Sequence, residues 1–177
     1  MRVRELRCAC DALGIAPPYL LDHPDGRLSK VPPERLAADI LDTVRQLRPD
    51  ILLTFGPDGL SGHPDHIAIG RAAAAAYGRF EDTAALYTLA LPQSVANQFG
   101  MLQLRPVPDE EIALTVDVMP VWEAKQTAMR CHATQIASTP LMQAPDEAQK
   151  AFFGVEYFVR AAVRHPDRDV MERGLYA

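Results

Sequence analysis

Apolar and polar residues recur with a helical period in four segments of the chain. Each segment opens or closes on proline or glycine, the residues that most often mark helix ends. The segments cover residues 2–14, 32–49, 64–77 and 120–135. The spacing therefore predicts four amphipathic helices.

Short apolar runs lie between these segments and predict strands. They include residues 19–21, 51–55 and 84–91, and the run at 51–55 carries apolar residues on successive positions, as expected for a parallel strand covered on both faces. Residues 112–118 alternate apolar and polar positions, which predicts an edge or antiparallel strand. The aromatic cluster within 152–158 is expected on a C-terminal helix. Strands that alternate with helices favour βαβ units in a doubly wound sheet.

Length and charge narrow the class of protein. The 177 residues suffice for one domain with a sizeable core, so we expect a single domain over residues 1–177. The net charge of -5 and the absence of a Lys/Arg cluster argue against a nucleic-acid partner. No apolar run reaches the roughly 18 residues that a membrane span needs, and no apolar signal core follows the N-terminus. The expected location is the cytoplasm.

The cysteines are Cys8, Cys10 and Cys131. Their number is odd, and a Cys-x-Cys pair without a second pair is a poor signal for a zinc ribbon or a disulfide. We therefore expect three reduced, structural thiols.

The stretch from Thr54 to His66 combines two histidines, two aspartates and several glycines where a predicted strand ends. Open α/β sheets bind ligands at this end of their strands. A neutral imidazole can bind zinc, and a second histidine three positions earlier can face a metal-bound group. If Asp65 accepts the ring N–H of His63, it fixes that tautomer and suits His63 to act as a general acid or oxyanion stabiliser. Gly59 and Gly62 supply the positive φ that a tight loop needs.

The same residues also permit a purely local interpretation. His63 and His66 can cap the Ala-rich helix that follows and hydrogen-bond within the loop, while Asp65 complements the positive end of that helix. Short histidine motifs often match by chance, so the residue types alone leave both interpretations open. The whole string Gly62-His63-Pro64-Asp65-His66 after a predicted strand is more specific than either histidine.

The segment Gly56-Pro57-Asp58-Gly59-Leu60-Ser61-Gly62-His63-Pro64-Asp65-His66 resembles the PIG-L/LmbE-like zinc-dependent de-N-acetylases, which act on substrates containing N-acetylglucosamine. The resemblance implies an α/β, Rossmann-like three-layer sandwich with a mostly parallel sheet, and an amino-sugar small molecule as substrate. Further matches extend over almost the whole chain: Arg4-Glu5-Leu6, Ala12-Leu13-Gly14, Pro24-Asp25-Gly26, Arg48-Pro49-Asp50, Leu86-Tyr87, Lys125 and Cys131-His132-Ala133-Thr134-Gln135.

The resemblance also implies a role for each polar residue of the loop. His66 looks like a zinc ligand, and His63 like the group that stabilises the oxyanion and protonates the leaving amine, with Asp65 as its partner. Asp58 and Gly62 are weaker candidates for supporting the loop, as is His132 for supporting the substrate. The implied reaction is attack of zinc-activated water on an amide carbonyl.

One part of the family pattern has no counterpart in this sequence. Family members carry an earlier loop, approximately Ala-His-Pro-Asp-Asp-Glu, that supplies two more zinc ligands and the general base. We therefore expect an N-terminally truncated domain that lacks the first β-α-β unit, and a weak zinc site with His66 as its one ligand. Residues 22–26 offer no second carboxylate after Asp25 and are interpreted as a turn after a strand, and residues 165–167 as a surface turn.

The sequence is compatible with three functions. The first is zinc-dependent removal of an N-acetyl group from an N-acetylglucosamine-type substrate, with the activity of this chain by itself left open. The alternative is a non-catalytic sugar-binding or interaction remnant of the same fold, whose ligand binding is insensitive to chelators and to His66→Ala. The third is a zinc hydrolase that completes its site from another chain in a homo-oligomer.

Overall fold

Seven α-helices, five short 3-10 helices and four strands make up the regular structure of residues 2–101, 103–136 and 139–169, the part of the chain that this computed structural model describes. The helices are α1 (Arg2–Leu13), α2 (Pro33–Leu47), α3 (Pro64–Arg79), α4 (Gln93–Phe99), α5 (Trp122–Cys131), α6 (Ala133–Ile136) and α7 (Asp146–Phe153). The strands are β1 (Ile51–Phe55), β2 (Ala85–Ala90), β3 (Leu114–Asp117) and β4 (Val155–Val163). Within these described ranges, no helix has the length and apolar content needed to span a bilayer.

The strands form one sheet in the order β1-β2-β4-β3. Strand β1 runs parallel to β2, with Ile51 opposite Ala85, and β4 runs antiparallel to β2, with Tyr157 opposite Ala90. The α/β class is confirmed, and the sheet combines parallel and antiparallel pairing. Strand β3 lies at an edge, as its alternating apolar pattern predicts.

The four predicted helical segments are present as α1, α2, α3 and α5 with α6. Helix α1 ends where predicted, since Gly14 follows it with φ +67. Helix α2 ends at a left-handed Arg48 before Pro49. The described residues form two compact units. One consists of residues 2–20 with 116–156, and the other of residues 21–115 with 157–169.

In the first unit, α1 packs against α5, and a disulfide between Cys8 and Cys131 joins the two helices. The Cα atoms lie 5.7 Å apart, a separation that a disulfide spans readily. The prediction of three reduced thiols is therefore wrong for this pair, because helix packing brings together cysteines 123 positions apart in the sequence. Cys10 is free and buried, as predicted.

In the second unit, α2 and α3 pack together around Leu36, Ala37 and Ala72. Strand β2 is largely buried, and the hydroxyl group of Tyr87 donates a 2.8 Å hydrogen bond to the buried carboxylate of Asp169. Burial raises the pKa of Tyr87 to about 12, and this hydrogen bond acts in the same direction. This hydrogen bond connects the segment after β4 to β2, which lies between β1 and β4 in the sheet.

Helix α3 approaches the carboxyl end of β1 at Gly70. A Cβ atom on Gly70 would lie 2.4 Å from the main-chain oxygen of Phe55 and 3.1 Å from that of Gly56. Any larger residue would have to push the helix away from the strand. Glycine at this position therefore sets how closely the start of α3 lies beside the end of β1.

Three predicted elements differ from the structure. Residues 19–21 form no strand and are exposed, since a short apolar run becomes a strand only where a partner bonds its backbone. Helix α4 occupies the segment after Pro92, where the apolar pattern predicts neither a helix nor a strand. The aromatic run at 152–158 is divided between α7 and β4, because Gly154 ends the helix.

The predicted burial of residues 51–55 on both faces is also wrong for this part of the chain. Strand β1 lies at an edge of the sheet, and Leu53 is 55% exposed. Strand β2, between β1 and β4, is the one that shows the burial expected of a central strand.

Replacing Gly70 by alanine should destabilise the protein by about 1–3 kcal/mol, because the added methyl group collides with main-chain atoms that cannot rotate away. Urea denaturation followed by circular dichroism measures this change. Gly78 on the same helix is the matched control, since nothing lies within 4 Å of its Cβ position. Gly78→Ala should leave stability unchanged or raise it by up to about 1 kcal/mol. Equal losses from both substitutions would contradict the close contact.

The disulfide predicts a specific labelling pattern. Alkylation of the denatured, unreduced protein should modify one of its three cysteines, namely Cys10, and prior reduction should expose all three to mass spectrometry. Replacing Cys8 and Cys131 by serine should lower the free energy of unfolding by about 2–4 kcal/mol. The double variant should then be insensitive to reductant. Full labelling without reductant would show that the pair is not joined.

Candidate active site

Two glycines and an aspartate shape the turn between β1 and α3. Gly59 and Gly62 have φ of +68° and +74°, in the region that glycine adopts without strain. The Asp58 carboxylate accepts a 2.9 Å hydrogen bond from the N–H of Leu60, and its main-chain oxygen accepts one of 3.0 Å from Gly62. A Cβ on Gly59 would lie 2.9 Å from that of His66, so this glycine lets the turn close against the histidine.

His66 lies in the first turn of α3 and is held on two sides. Its ring stacks on Phe55 with 4.0 Å between centroids and 9° between planes. Its Nδ1 lies 3.1 Å from the main-chain oxygen of Gly59. Because a carbonyl oxygen can only accept, Nδ1 carries the proton in this contact, and Nε2 of the neutral ring keeps its lone pair.

His63 is the N-cap of α3. Its Nδ1 accepts a 3.2 Å hydrogen bond from the main-chain N–H of Asp65, so the neutral ring carries its proton on Nε2. The rings of His63 and His66 lie 4.8 Å apart between centroids. The two imidazoles are therefore neighbours with opposite tautomers.

The carboxylate of Asp65 has a different partner from the one expected. It is buried and lies 3.3 Å from the main-chain N–H of Ser29, which donates to it. The expected bond from a ring N–H of His63 to this carboxylate is not among the hydrogen bonds of the described residues, where Nδ1 of His63 instead accepts from the main-chain N–H of Asp65. The carboxylate still lies in the first turn of α3, where a negative charge stabilises the helix.

His63, Asp65 and His66 line one cavity of about 320 Å³. The loop at residues 22–26 forms the predicted turn, but it also brings His23 and Asp25 to this cavity. The interpretation of this loop as a turn, made because no second carboxylate follows Asp25, did not include this contribution. The only available signal was the His-Pro-Asp triplet that residues 23–25 share with residues 63–65.

Arg105 is a second residue that sequence analysis missed. Its exposed guanidinium group packs against Gly62, where an added Cβ would lie 2.7 Å from Nη2. The main-chain N–H of Arg105 donates a 2.7 Å hydrogen bond to the oxygen of Leu60. No motif surrounds Arg105, so only the fold reveals that it places a positive charge beside the residue preceding His63.

His132 lies in the first unit and is not among the residues that line the cavity of His63 and His66. It follows the last residue of α5 and lines a separate cavity of about 300 Å³ with Glu5 and Leu6. Hydrogen bonds from the main chain and hydroxyl group of Thr134 hold the pKa of Glu5 below its ordinary value. Glu5, Leu6 and His132 all belong to the first unit.

The donor set fits a metal only in part. The Nε2 atom of His66 has the free lone pair of a ligand, and its Nδ1–H is oriented by a carbonyl oxygen, as is usual for metal-bound histidine. However, residues 2–101, 103–136 and 139–169 contain no group of three His, Cys, Asp or Glu side chains that could hold a metal ion. A stable zinc site has at least three protein ligands, so these residues do not complete one.

Fold and cavity together define an α/β protein with paired histidines at the carboxyl end of a parallel strand. Residues 1–77 match the family model described as PIG-L: GlcNAc-PI de-N-acetylase. Over these residues the chain is similar to this family, in agreement with the resemblance noted in its sequence.

Two relatives share the name 1D-myo-inositol 2-acetamido-2-deoxy-alpha-D-glucopyranoside deacetylase. The protein from Acidothermus cellulolyticus is 28% identical over 214 residues, covering 99% of this chain and 73% of that protein. The protein from Salinispora arenicola is 30% identical over 200 residues, covering 90% of this chain and 64% of that protein. The chain thus spans between 64% and 73% of the length of these relatives.

A solved structure supports the fold. The conserved protein TT1542 from Thermus thermophilus aligns with a TM-score of 0.63 and 19% identity, covering 92% of this chain and 74% of that chain. At this identity the likeness concerns the fold alone.

The hydrogen bonds predict the ring tautomers of the two histidines. In nitrogen-15 NMR spectra recorded where the rings are neutral, His66 should show the Nδ1–H form and His63 the Nε2–H form. His165 provides the comparison, since its Nε2 lies 3.0 Å from the main-chain oxygen of Glu81 and should also carry the proton. An Nε2–H signal from His66 would contradict the arrangement of the turn.

Proposed function

We propose that this chain contributes to the active site of a hydrolase that removes the N-acetyl group from an N-acetylglucosamine-type substrate. The relatives named above are deacetylases of an inositol-linked 2-acetamido sugar, which supports this substrate class. The observation that carries the proposal is the pair of opposite tautomers in one cavity. His63 offers an N–H donor and His66 a nitrogen lone pair, 4.8 Å apart between ring centroids.

The proposed role of His63 is to donate its Nε2–H to the acetamide carbonyl oxygen as that atom gains negative charge. A fixed donor at this point stabilises the transition state more than the ground state. Passing that proton to the leaving amine would leave an imidazolate, so Nδ1 would first have to take up a second proton. That protonation would break the capping bond from Asp65. The capping bond therefore favours the donor role over the role of proton source.

The neighbouring residues of the loop would hold His63 in place. Asp65 acts through its main-chain N–H, while its carboxylate bonds the segment at Ser29. Asp58 closes the turn through its bond to Leu60. Gly62 provides the left-handed backbone conformation directly before His63.

We propose zinc as the cofactor, with Nε2 of His66 as one ligand. When bound, zinc would polarise the amide carbonyl and lower the pKa of a bound water molecule. Because the described residues offer no group of three ligands, the remaining ligands and the general base would come from residues outside this set. A second copy of the chain is one source, and metal content would then rise on oligomerisation.

The incomplete ligand set also supports the alternative function, a non-catalytic sugar-binding module of the same fold. Such a module would use the cavity of His63 and His66 to hold an amino sugar without cleaving it. Sugar binding that survives both a chelator and His66→Ala would identify it.

Zinc content and acetate release test the proposal. They should be measured on this chain and on a version that carries, upstream, a segment with the family's His-Pro-Asp-Asp loop. In the extended version, His63→Ala should lower kcat by about 10²–10³, the usual effect of removing one donor to an oxyanion. His66→Ala should reduce the bound zinc.

His165→Ala is the matched control, since His165 bonds to Glu81 and is not among the cavity-lining residues. It should leave both readouts unchanged. Full activity of this chain by itself would overturn the argument that its ligand set is incomplete. Absence of acetate release from both versions would favour the sugar-binding module.

A further inference from the structure

His23 is a third imidazole at the cavity of His63 and His66, and the proposed reaction makes no use of it. Its side chain is 18% exposed, and its Nε2 lies 2.9 Å from Oδ2 of Asp39. A carboxylate oxygen can only accept, so Nε2 carries the proton in this bond. Nδ1 is then the ring nitrogen left for a ligand.

Asp39 is itself fixed in position. It lies on α2, one turn after Arg35, whose Nε donates a 3.1 Å hydrogen bond to the same carboxylate oxygen. Burial acts to raise the pKa of Asp39, but the hydrogen bonds from Arg35 and His23 outweigh it and hold the pKa below its ordinary value. Asp39 thus stays a hydrogen-bond acceptor. In this way a residue of helix α2 orients His23, which lies in the turn at residues 22–26.

We propose that His23, held by Asp39, is a substrate-binding residue of this cavity and forms a hydrogen bond through Nδ1 to a hydroxyl group of the amino sugar. This inference rests on the proposed function, since it takes the occupant of the cavity to be a sugar. A hydroxyl group suits Nδ1 in either protonation state of the ring, because it both donates and accepts. Asp39 acts as a positioning residue through His23.

Size and composition of the cavity agree with this assignment. Its volume of about 320 Å³ lies in the range of small-molecule sites, which combine an apolar lining with a few placed polar groups. Leu28, Phe55 and Ile69 supply apolar surface. His23 comes from a different loop than His63 and His66, so separate parts of the chain would bind a ring hydroxyl and the acetamido group.

Binding of monosaccharides to the full chain tests this assignment without requiring catalysis. NMR titration with N-acetylglucosamine and with its three ring-monodeoxy analogues gives four values of Kd. One analogue should bind the unmodified chain about five- to tenfold more weakly than the parent sugar, which is the usual effect of losing one uncharged hydrogen bond. In the His23→Ala variant, the affinity for the parent sugar should fall by about the same factor. The difference in affinity between the parent sugar and that analogue should disappear.

Asp39→Asn is the second variant, and it decides the matter if His23→Ala does not fold. It keeps the size of the side chain, and it should reduce the difference in affinity between the parent sugar and the same deoxy analogue. His165→Ala is the control and should behave like the unmodified chain. Thermal unfolding of each variant confirms that it is folded.

Two results would overturn the assignment of His23. They are unchanged discrimination among the sugars in its variants, and an equal loss of affinity for all four sugars, which would indicate a structural role. Either result leaves the proposed function intact as long as the unmodified chain binds the parent sugar. Failure of the unmodified chain to bind any of the sugars would overturn both.

Discussion

The close approach of α3 to the end of β1 is the contact on which the candidate site depends. Because Gly70 lies directly against the main-chain oxygens of Phe55 and Gly56, the intervening turn has to close over a short distance. It does so with two left-handed glycines and the carboxylate of Asp58. A strand end and a helix start held this close together place His66 on the ring of Phe55. Backbone geometry, without any ligand, therefore positions the imidazoles.

The local and the chemical interpretations of the histidine motif turn out to be compatible. His63 caps α3, as the local interpretation required, and the capping bond occupies Nδ1 with an N–H donor. That bond leaves the proton on Nε2, the atom that the proposed reaction needs. For His66 the carbonyl oxygen of Gly59 selects the opposite tautomer. Hydrogen bonds that stabilise the helix start thus also assign a distinct chemical property to each ring.

Much of the fold follows from local patterns, while the missed features depend on contacts between distant residues. Helical spacing and proline or glycine boundaries locate α1, α2 and α3, and the apolar run ending at Phe55 locates β1. The pairing of Cys8 with Cys131 depends on two helices 123 positions apart, and no local pattern encodes it. The bond of His23 to Asp39 joins a turn to a helix 16 positions later. Residues 19–21 have the composition of a strand, but strand formation also requires a partner.

The fixed position of His66 bears on how strongly the site would bind a metal. A ligand that must be ordered on binding costs free energy, which lowers the affinity. His66 is already fixed by its stack on Phe55 and its bond to Gly59, so its nitrogen would bind without that cost. The affinity would then depend mainly on how many further ligands reach the same point, since structural and catalytic zinc sites both need at least three. In its proposed role as a ligand, His66 would thus be a preformed part of the metal site, and the zinc affinity should rise steeply with each further ligand.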